Sequence, residues 1–328
     1  MLSIFRSKSI FSIICLLAFT ILIRLSTIFY SSPVEPNINT PFAQLVFDWI
    51  RSFGGYEFKS YLIASVFIFF QALLVNYISS SHSILYKDNL LPALFFVLLN
   101  SLYPQQLVLS PQILANTFII LLLYRLCYLY ESKLPLLLVF DAGMLLGLGL
   151  LFSYDLIIYL PFILISVLYM TSFNLRYWMV AIFGIVLPVY FLGVIFFLTN
   201  HLNDFIFSFQ YSFNKSYFNP IGIQFQQGVI WILIIPVFVF SFIDIQLNFY
   251  RHKVKTRRIQ LVLLIMLLFG IISVFAENQS FMYGLCFLSV SLSFVMANFF
   301  ISEKRWILKE ITFYGLLLCA VYYQYFNH

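Results

Sequence analysis

The sequence predicts an all-α, polytopic integral membrane protein. Of its 328 residues, 62% are hydrophobic and only 9% are charged, whereas roughly a quarter of the residues in a soluble domain are charged. The polar residues are gathered into short stretches between apolar runs of a length that can cross the hydrocarbon core of a bilayer. Because lipid cannot hydrogen-bond the backbone, each apolar run should be a helix.

Eleven apolar runs are candidate spans, and together they form one transmembrane domain over residues 1–328. Two pairs are short and tightly joined, 90–104 with 111–130 and 135–153 with 156–173. Either pair can also be re-entrant, and losing one pair lowers the count to nine while the sidedness of the other spans is unchanged. The candidate spans are 10–29, 60–79, 90–104, 111–130, 135–153, 156–173, 178–199, 228–247, 259–276, 281–301 and 311–326.

The N-terminus is predicted to be cytoplasmic, because Lys and Arg are concentrated on one side of the alternating spans. With that orientation, thirteen basic residues fall in inner segments and three in outer segments. The first run follows Arg6 and Lys8 as in a signal peptide, but no small-residue cleavage site follows, so we expect a retained span. A composition rich in Phe, Ile, Tyr, Ser and Asn suits an AT-rich bacterial genome. We therefore expect a multi-pass protein of a bacterial cytoplasmic membrane.

The densest basic run, RHKVKTRR, lies in a predicted cytoplasmic loop over residues 248–258. We interpret it as a topology anchor, and binding of anionic lipid headgroups is the alternative. The formal net charge of +6 is no sign of a nucleic-acid partner, because the basic residues fall in short loops between apolar runs. The anchor residues are Arg251, Lys253, Lys255, Arg257 and Arg258.

Two polar segments, 30–58 and 200–227, are predicted to lie outside the membrane. In the second, aromatic residues alternate as in a strand, but Phe205, Phe209 and Phe213 also share one face of a helix. We favour an amphipathic segment in the outer interface. An aromatic-lined groove for a lipid or a sugar is the functional alternative. The residues of this outer aromatic surface are Phe205, Phe207, Phe209, Tyr211 and Phe213.

Motifs of soluble active sites are absent from the sequence. No Gly-rich phosphate loop, His-x-x-x-His pair or Cys-x-x-Cys pair occurs, and the four cysteines lie in apolar segments without metal-ligand spacing. We therefore predict no metal site from these residues. Gly143-x-x-x-Gly147 predicts close helix packing, Arg125 an anchor or ion pair, and Asp141 a buried hydrogen bond. Arg24, near the outer end of the first span, can snorkel to the interface or bind phosphate.

The third to sixth candidate spans carry a characteristic order of features. A Ser-Pro-Gln turn opens a helix with aromatic and basic residues at its end, and a Gly-rich helix, a tight turn and a helix with Leu-Pro follow. This order resembles the GT-C class of polytopic membrane glycosyltransferases. The residues that carry the resemblance are Ser110, Pro111 and Gln112, then Tyr124 and Arg125, Gly143 to Gly149, Ser153 to Asp155, and Leu160 with Pro161.

The resemblance implies an outer cavity in which a sugar is transferred from a polyprenyl-phosphate donor. It implies an acid in the outer loop after the first span, where Glu35 and Asp48 are the candidates. Such a carboxylate would deprotonate the acceptor hydroxyl or hold a divalent metal. Cations would hold the departing phosphate or the lipid. The candidate cations are Arg24, Arg51 and Lys59.

The outer loop departs from the GT-C pattern, since it has no paired Asp-Glu and the predicted outer face carries more acids than cations. We therefore favour a non-catalytic or degenerate GT-C-like subunit that supports an envelope, secretion or glycan-assembly complex. It would contact membrane lipids and other membrane proteins, and would require no cofactor. A polyprenyl-phosphate-sugar-dependent glycosyltransferase is the alternative. A small-solute or lipid transporter is a second alternative, less favoured because no span is obviously interrupted at mid-membrane.

Overall fold

The structure is a computed structural model. It describes most of the chain as helices, with short gaps between them. The described residues are 2–7, 9–25, 38–52, 56–85, 88–171, 173–214, 225–249, 253–276, 281–301 and 306–326.

Within these residues the chain forms fourteen α-helices and no β-strand. Short 3₁₀ turns over Pro104–Gln106, Leu129–Glu131 and Tyr154–Ile158 adjoin some of them. The helices are α1 (Leu2–Phe5), α2 (Ile10–Ile23), α3 (Pro41–Ser52), α4 (Tyr56–Ser81), α5 (Leu91–Leu99), α6 (Pro111–Tyr128), α7 (Pro135–Phe152), α8 (Tyr159–Met170), α9 (Leu175–Leu198), α10 (Leu202–Asn214), α11 (Phe225–Asn248), α12 (Val254–Ala276), α13 (Phe281–Ile301) and α14 (Trp306–Phe326).

The protein is an all-α, polytopic membrane protein, as predicted, but the structure does not support a count of eleven spans. In the described part of the chain, six helical segments are long and apolar enough to cross a membrane. Three shorter apolar helices accompany them, Ile10–Ile23, Tyr154–Met170 and Trp231–Leu247. The six long segments are Phe58–Ser81, Pro111–Glu131, Pro135–Phe152, Leu175–Leu198, Val254–Phe275 and Tyr283–Ile301.

The candidate span 90–104 is the clearest difference from the sequence prediction. Its helix, α5, has only 9 residues, about 14 Å of rise against a hydrocarbon core of about 30 Å. The chain then leaves α-helical geometry until Ser110, whose Oγ accepts a hydrogen bond from the Ile113 amide at the start of α6. A helix interrupted by polar residues is thus present, although none was evident from the sequence. The Ser-Pro turn that opens α6 is confirmed.

Two contacts join helix ends that the predicted topology places on the same side of the membrane. Arg24 and Asn100, both assigned to the predicted outer face, are joined by a hydrogen bond of 3.1 Å from Arg24 Nη1 to the Asn100 carbonyl. Lys255 and Glu131, both assigned to the predicted inner face, are 2.6 Å apart between Nζ and Oε2. One cluster of buried apolar side chains connects α1 to α14.

Close helix packing at the glycines of α7 is confirmed. A Cβ added to Gly147 would come within 2.5 Å of the Ile185 carbonyl oxygen on α9. A Cβ on Gly184 of α9 would likewise come within 2.6 Å of the Phe140 oxygen on α7. The two backbones approach so closely that only hydrogen fits at these positions.

The Gly-rich helix α7 also carries an ion pair that joins it to α6. Arg125 Nε lies 3.5 Å from Asp141 Oδ2, and the two side chains are 43% and 21% exposed. This confirms the interpretation of Arg125 as an ion-pair partner. Asp141 therefore contributes to a partly exposed salt bridge between the two helices.

Candidate functional site

Arg24 organises the predicted outer face. It caps the C-terminus of α2, and only 3% of the residue is exposed. Its Nε donates a hydrogen bond to Ser65 Oγ on α4 at 3.1 Å. Its other donors bind the chain between α5 and α6: Nη1 reaches Asn100 O at 3.1 Å and Ser101 Oγ at 3.4 Å, and Nη2 reaches Gln106 O at 3.0 Å and Leu107 O at 2.7 Å.

These five contacts account for the five N–H donors of a guanidinium group. They form because α5 ends early and leaves carbonyl groups without helical partners inside the protein. We call residues 100–110 the outer segment, because Arg24 holds it toward the predicted outer face. The side chain is buried in the protein, a different position from the snorkelling geometry expected at a lipid interface.

Other helices also bind the outer segment. The Leu109 amide donates to Ser60 Oγ on α4 at 3.0 Å, and Gln324 of α14 donates through Nε2 to the Ser101 carbonyl. Asn100 Nδ2 donates to Ser289 Oγ on α13 at 2.8 Å. Four helices that are distant in the sequence therefore meet on this one segment of backbone.

The side chains of this network offer hydroxyls, amides and one guanidinium. None of these groups changes its protonation near neutral pH. The network around Arg24 is therefore suited to holding helices in register, and the side chains that the structure describes in it include no general base for pH 7.

Asp48, a candidate acid, lies on the amphipathic helix α3. The packed face of α3 is formed by Pro41, Ala43 and Phe47, and Asp48 lies on the opposite, exposed face. Its Oδ1 is 3.9 Å from Arg51 Nη1, and the Asp48 and Arg51 side chains are 69% and 43% exposed. The structure therefore does not bring Asp48 and the buried Arg24 into one enclosed site.

Two candidates from the outer loop remain, Lys59 and Glu35. Lys59 is exposed near the start of α4. Glu35 lies outside the described residues. Among the residues that the structure does describe, no three His, Cys, Asp or Glu side chains come together as a metal site.

The aromatic residues near 205 form a helix, α10, and the strand interpretation is wrong. Phe205 stacks on Phe196 of α9 with ring centroids 5.8 Å apart, and Phe209 packs edge-on against Tyr154 at 4.7 Å. Phe207 is 69% exposed. One face of α10 is therefore used for packing, and Phe207 lies on the other. The side chains of Tyr211 and Phe213 are outside the described set.

The cations of the predicted basic loop 248–258 are mostly helical. Helix α11 ends at Asn248 and α12 begins at Val254, which corrects the loop boundary to a shorter connection. Of the predicted anchors, Arg251 lies outside the described residues, Lys253 is exposed, and the other three lie in the first turns of α12. These three are Lys255, Arg257 and Arg258.

Two of these helical cations bind other groups of the protein, one a carboxylate and the other two backbone carbonyls. Lys255 pairs with Glu131. Arg258 Nη1 donates to the carbonyls of Tyr169 and Met170 at 3.2 and 3.0 Å, and its guanidinium lies 4.6 Å from the Tyr130 ring centroid. These side chains connect α12 to the C-terminal ends of α6 and α8, in addition to any effect on topology.

Beside this cluster lies His82, which sequence reasoning did not single out. It is 4% exposed, its ring lies 4.6 Å from Tyr128, and neither ring nitrogen has a hydrogen-bond partner. The pKa of His82 is lowered to about 4, chiefly by burial and also by the positive charge of Lys255, while the negative charge of Glu131 acts in the opposite direction. A neutral imidazole is thus buried at the predicted inner face. The only sequence signal was its position directly after a long apolar run.

Comparisons with known proteins give a family and distant structural likenesses. Among solved structures, the archaeal oligosaccharyltransferase AglB from Archaeoglobus fulgidus, in complex with an inhibitory peptide and a dolichol-phosphate, aligns with a TM-score of 0.48 and 13% identity. The alignment covers 94% of this chain and 51% of that one, so the chain spans about half the length of AglB. No curated protein sequence gives a significant match.

A family model matches residues 42–328, which is most of the chain. The matching region starts in α3 and includes the outer segment, the Gly-rich helix α7 and the basic start of α12. The chain therefore belongs to the family described as "Family of unknown function (DUF6427)".

Proposed function

We propose that this protein is a non-catalytic, GT-C-like membrane subunit that supports an envelope, secretion or glycan-assembly complex. The observation that carries the proposal is the bonding of Arg24. A phosphate-binding arginine needs N–H donors directed at the ligand, whereas all five donors of Arg24 are directed at the protein's own hydroxyl and carbonyl groups. The residue best placed to hold a polyprenyl phosphate instead holds the scaffold together.

The position of Asp48 supports the same proposal. A general base must reach the proton that it removes while water is kept from the reacting centre. Asp48 lies on the exposed face of α3 with Arg51 as its ionic partner, so the surrounding helices do not shield it from water. A scaffold with this outer face is suited to lateral contacts in the membrane.

The alternative function is transfer of a sugar from a polyprenyl-phosphate donor at the outer face, with Glu35 as the acid. The transporter alternative gains one observation, the interruption after α5. That interruption is filled by the bonds of Arg24, Ser60 and Gln324 to the outer segment, which favours a structural role for it.

The test combines purification with an activity assay. The protein should co-purify from mild detergent with other membrane proteins at a fixed stoichiometry, and membranes containing it should show no sugar transfer that depends on Glu35 or Asp48. The variants are Glu35→Gln, Asp48→Asn and the double substitution. Polyprenyl-linked sugar transfer that is present in the wild type and abolished by Glu35→Gln, with folded protein retained, would overturn the proposal in favour of the transferase.

A further inference from the structure

A small cavity lies between four elements at the end of the bundle nearer the predicted inner face. Its walls come from α11, α12, α13 and the turn that follows α4, and they are mainly aliphatic. The space open to a water-sized molecule is about 20 Å³, and roughly 10–15 Å³ of such space is enough for one water molecule. The volume therefore admits a water molecule and excludes lipid chains and sugars. The lining residues are Ile84, Leu85, Ile245, Gln260, Leu263, Leu264, Phe294, Val295 and Asn298.

The polar part of this lining consists of two carboxamides. Gln260, on α12, is 7% exposed, and its Oε1 is buried without a hydrogen-bond partner. Asn298, on α13, is half-buried and lines the same cavity. A buried amide oxygen without a partner costs free energy, and rotation of the Gln260 amide can direct either its oxygen or its NH₂ group into the cavity. A small polar molecule there would supply the hydrogen bond that Gln260 lacks.

The residues in and near the lining favour a neutral occupant. None of the lining side chains is ionised, and the charged residues that precede Gln260 on α12 are all basic, namely Lys255, Arg257 and Arg258. Their positive charge disfavours a cation, which would also need more oxygen ligands than two carboxamides provide. The volume is too small for a phosphate or a carboxylate group. Water both donates and accepts hydrogen bonds, so it suits either end of a carboxamide.

Water has a short route to this position. The cavity is only partly enclosed. Gln260 lies five residues, or about 7.5 Å of helix, from Lys255, whose side chain is 24% exposed at the predicted inner face. A water molecule can therefore enter from that face without crossing the apolar core.

We propose that this cavity holds one ordered water molecule, which hydrogen-bonds the carboxamide of Gln260 and joins α12 to α13 through Asn298. The aliphatic side chains around it keep the site to a single molecule. This inference is independent of the function proposed above, because it concerns helix packing near the predicted inner face and requires no partner or substrate.

Radiolytic labelling of the full-length protein in H₂¹⁸O tests the site. Short X-ray exposures generate hydroxyl radicals from bound as well as bulk water, so a buried ring is labelled where water lies beside it. Phe294 lines the cavity and is 2% exposed. Phe95, fully buried against the rings of Phe300 and Phe313, is the internal control. We expect Phe294 to incorporate several-fold more ¹⁸O than Phe95, and equal labelling of the two rings would overturn the proposal.

Variants then assign the water to Gln260. Gln260→Met keeps the length of the side chain but removes its hydrogen-bonding groups, so the labelling of Phe294 should fall to the level of Phe95. Gln260→Glu keeps the shape and an oxygen acceptor and should retain the labelling, and melting temperatures check that both variants are folded. Undiminished labelling in Gln260→Met, or an equal loss in both variants, would overturn the role of Gln260.

Ion replacement distinguishes water from a bound cation. Exchange of Na⁺ for N-methylglucamine in the buffer should leave the melting temperature of the wild type unchanged. A melting temperature that rises with Na⁺ in the wild type but not in Gln260→Met would assign a cation to the cavity and overturn the proposal.

Discussion

Arg24 and Arg257 lie near opposite ends of the bundle, and their surroundings differ. Arg24 donates all its N–H groups to the outer segment and to α4. Arg257 contacts the Phe249 ring, and its Nε is buried without a hydrogen-bond partner. The same residue type is therefore a structural cross-link in one region, whereas in the other it makes a ring contact and leaves its buried Nε without an acceptor.

The comparison indicates that the charge of a residue in the membrane domain does not by itself define its role. The role depends on whether backbone carbonyls outside regular helix lie close enough to accept hydrogen bonds from the side chain. The early end of α5 exposes carbonyl groups to Arg24 inside the protein, whereas α12 continues without a break past Arg257 and its carbonyls are used by the helix. The same substitution made at each arginine should therefore have different effects on stability.

The largest expected effect is loss of stability on replacing Arg24. In Arg24→Lys a single ammonium with three donors cannot reach the hydroxyl and carbonyl groups that the planar guanidinium joins. Buried carbonyls of the outer segment would be left unsatisfied, and we expect a loss of at least about 3 kcal/mol. Thermal unfolding of the purified protein in detergent measures this change.

Arg257→Lys is the matched control for this prediction, since it makes the same change at the other end of the bundle. It should alter the melting temperature little, because no protein acceptor loses its donor. A similar destabilisation by both substitutions would contradict the distinction between the two arginines.

A second, smaller effect on stability concerns the packing of α9. Gly184→Ala on α9 places a Cβ within 2.6 Å of the Phe140 carbonyl, so α7 and α9 must move apart at a cost of about 1–3 kcal/mol. Gly193→Ala, on the same helix, meets only an ordinary contact at 3.6 Å and should be neutral or slightly stabilising. Unfolding curves of the two variants compare them directly.

The sequence was sufficient for the features that rest on local chemistry. Apolar runs of sufficient length predicted the all-helical membrane fold, Ser110 and Pro111 predicted the start of α6, and the spacing of Gly143 and Gly147 predicted close helix packing. Each follows from backbone bonding or side-chain size within one turn or one span.

The features that depend on distant contacts could not be predicted. Residues 90–104 are apolar enough for a span, and the break after Leu99 is stabilised by Arg24, 75 or more positions earlier in the chain. The pairing of Lys255 with Glu131 joins positions 124 apart. The cavity at Gln260 lies between four structural elements, and the hydrophobic periodicity of the sequence does not predict such gaps.

The free energy of unfolding should depend on pH through His82, near the predicted inner face. The folded protein holds this imidazole neutral with a pKa of about 4, because it is buried, whereas the unfolded chain takes up the proton near pH 6.5. Between those values the unfolded state binds more protons, so the free energy of unfolding should fall as the pH falls, by at most roughly 1.4 kcal/mol per pH unit.

The variant His82→Phe keeps a ring against Tyr128 and removes the titration. Melting temperatures of the wild type and the variant, measured from pH 7.5 to pH 4.5, should converge as the pH decreases or cross in favour of the variant. Parallel curves over this range would show that His82 reaches solvent and gains its proton in the folded state.

The smallest effect is expected at the exposed pair on α3. Asp48 and Arg51 are 3.9 Å apart and largely exposed, and such pairs contribute only about 0.2–1 kcal/mol because water screens them and two long side chains must be ordered. Asp48→Asn and Arg51→Gln should therefore each leave the melting temperature almost unchanged, most clearly at high salt. A loss in Arg51→Gln comparable to that of Arg24→Lys would mean that α3 is held to the bundle by its charges. If stability is instead retained, the attachment of α3 rests on its apolar face of Pro41, Ala43 and Phe47, and the charged face remains available for contacts outside the chain.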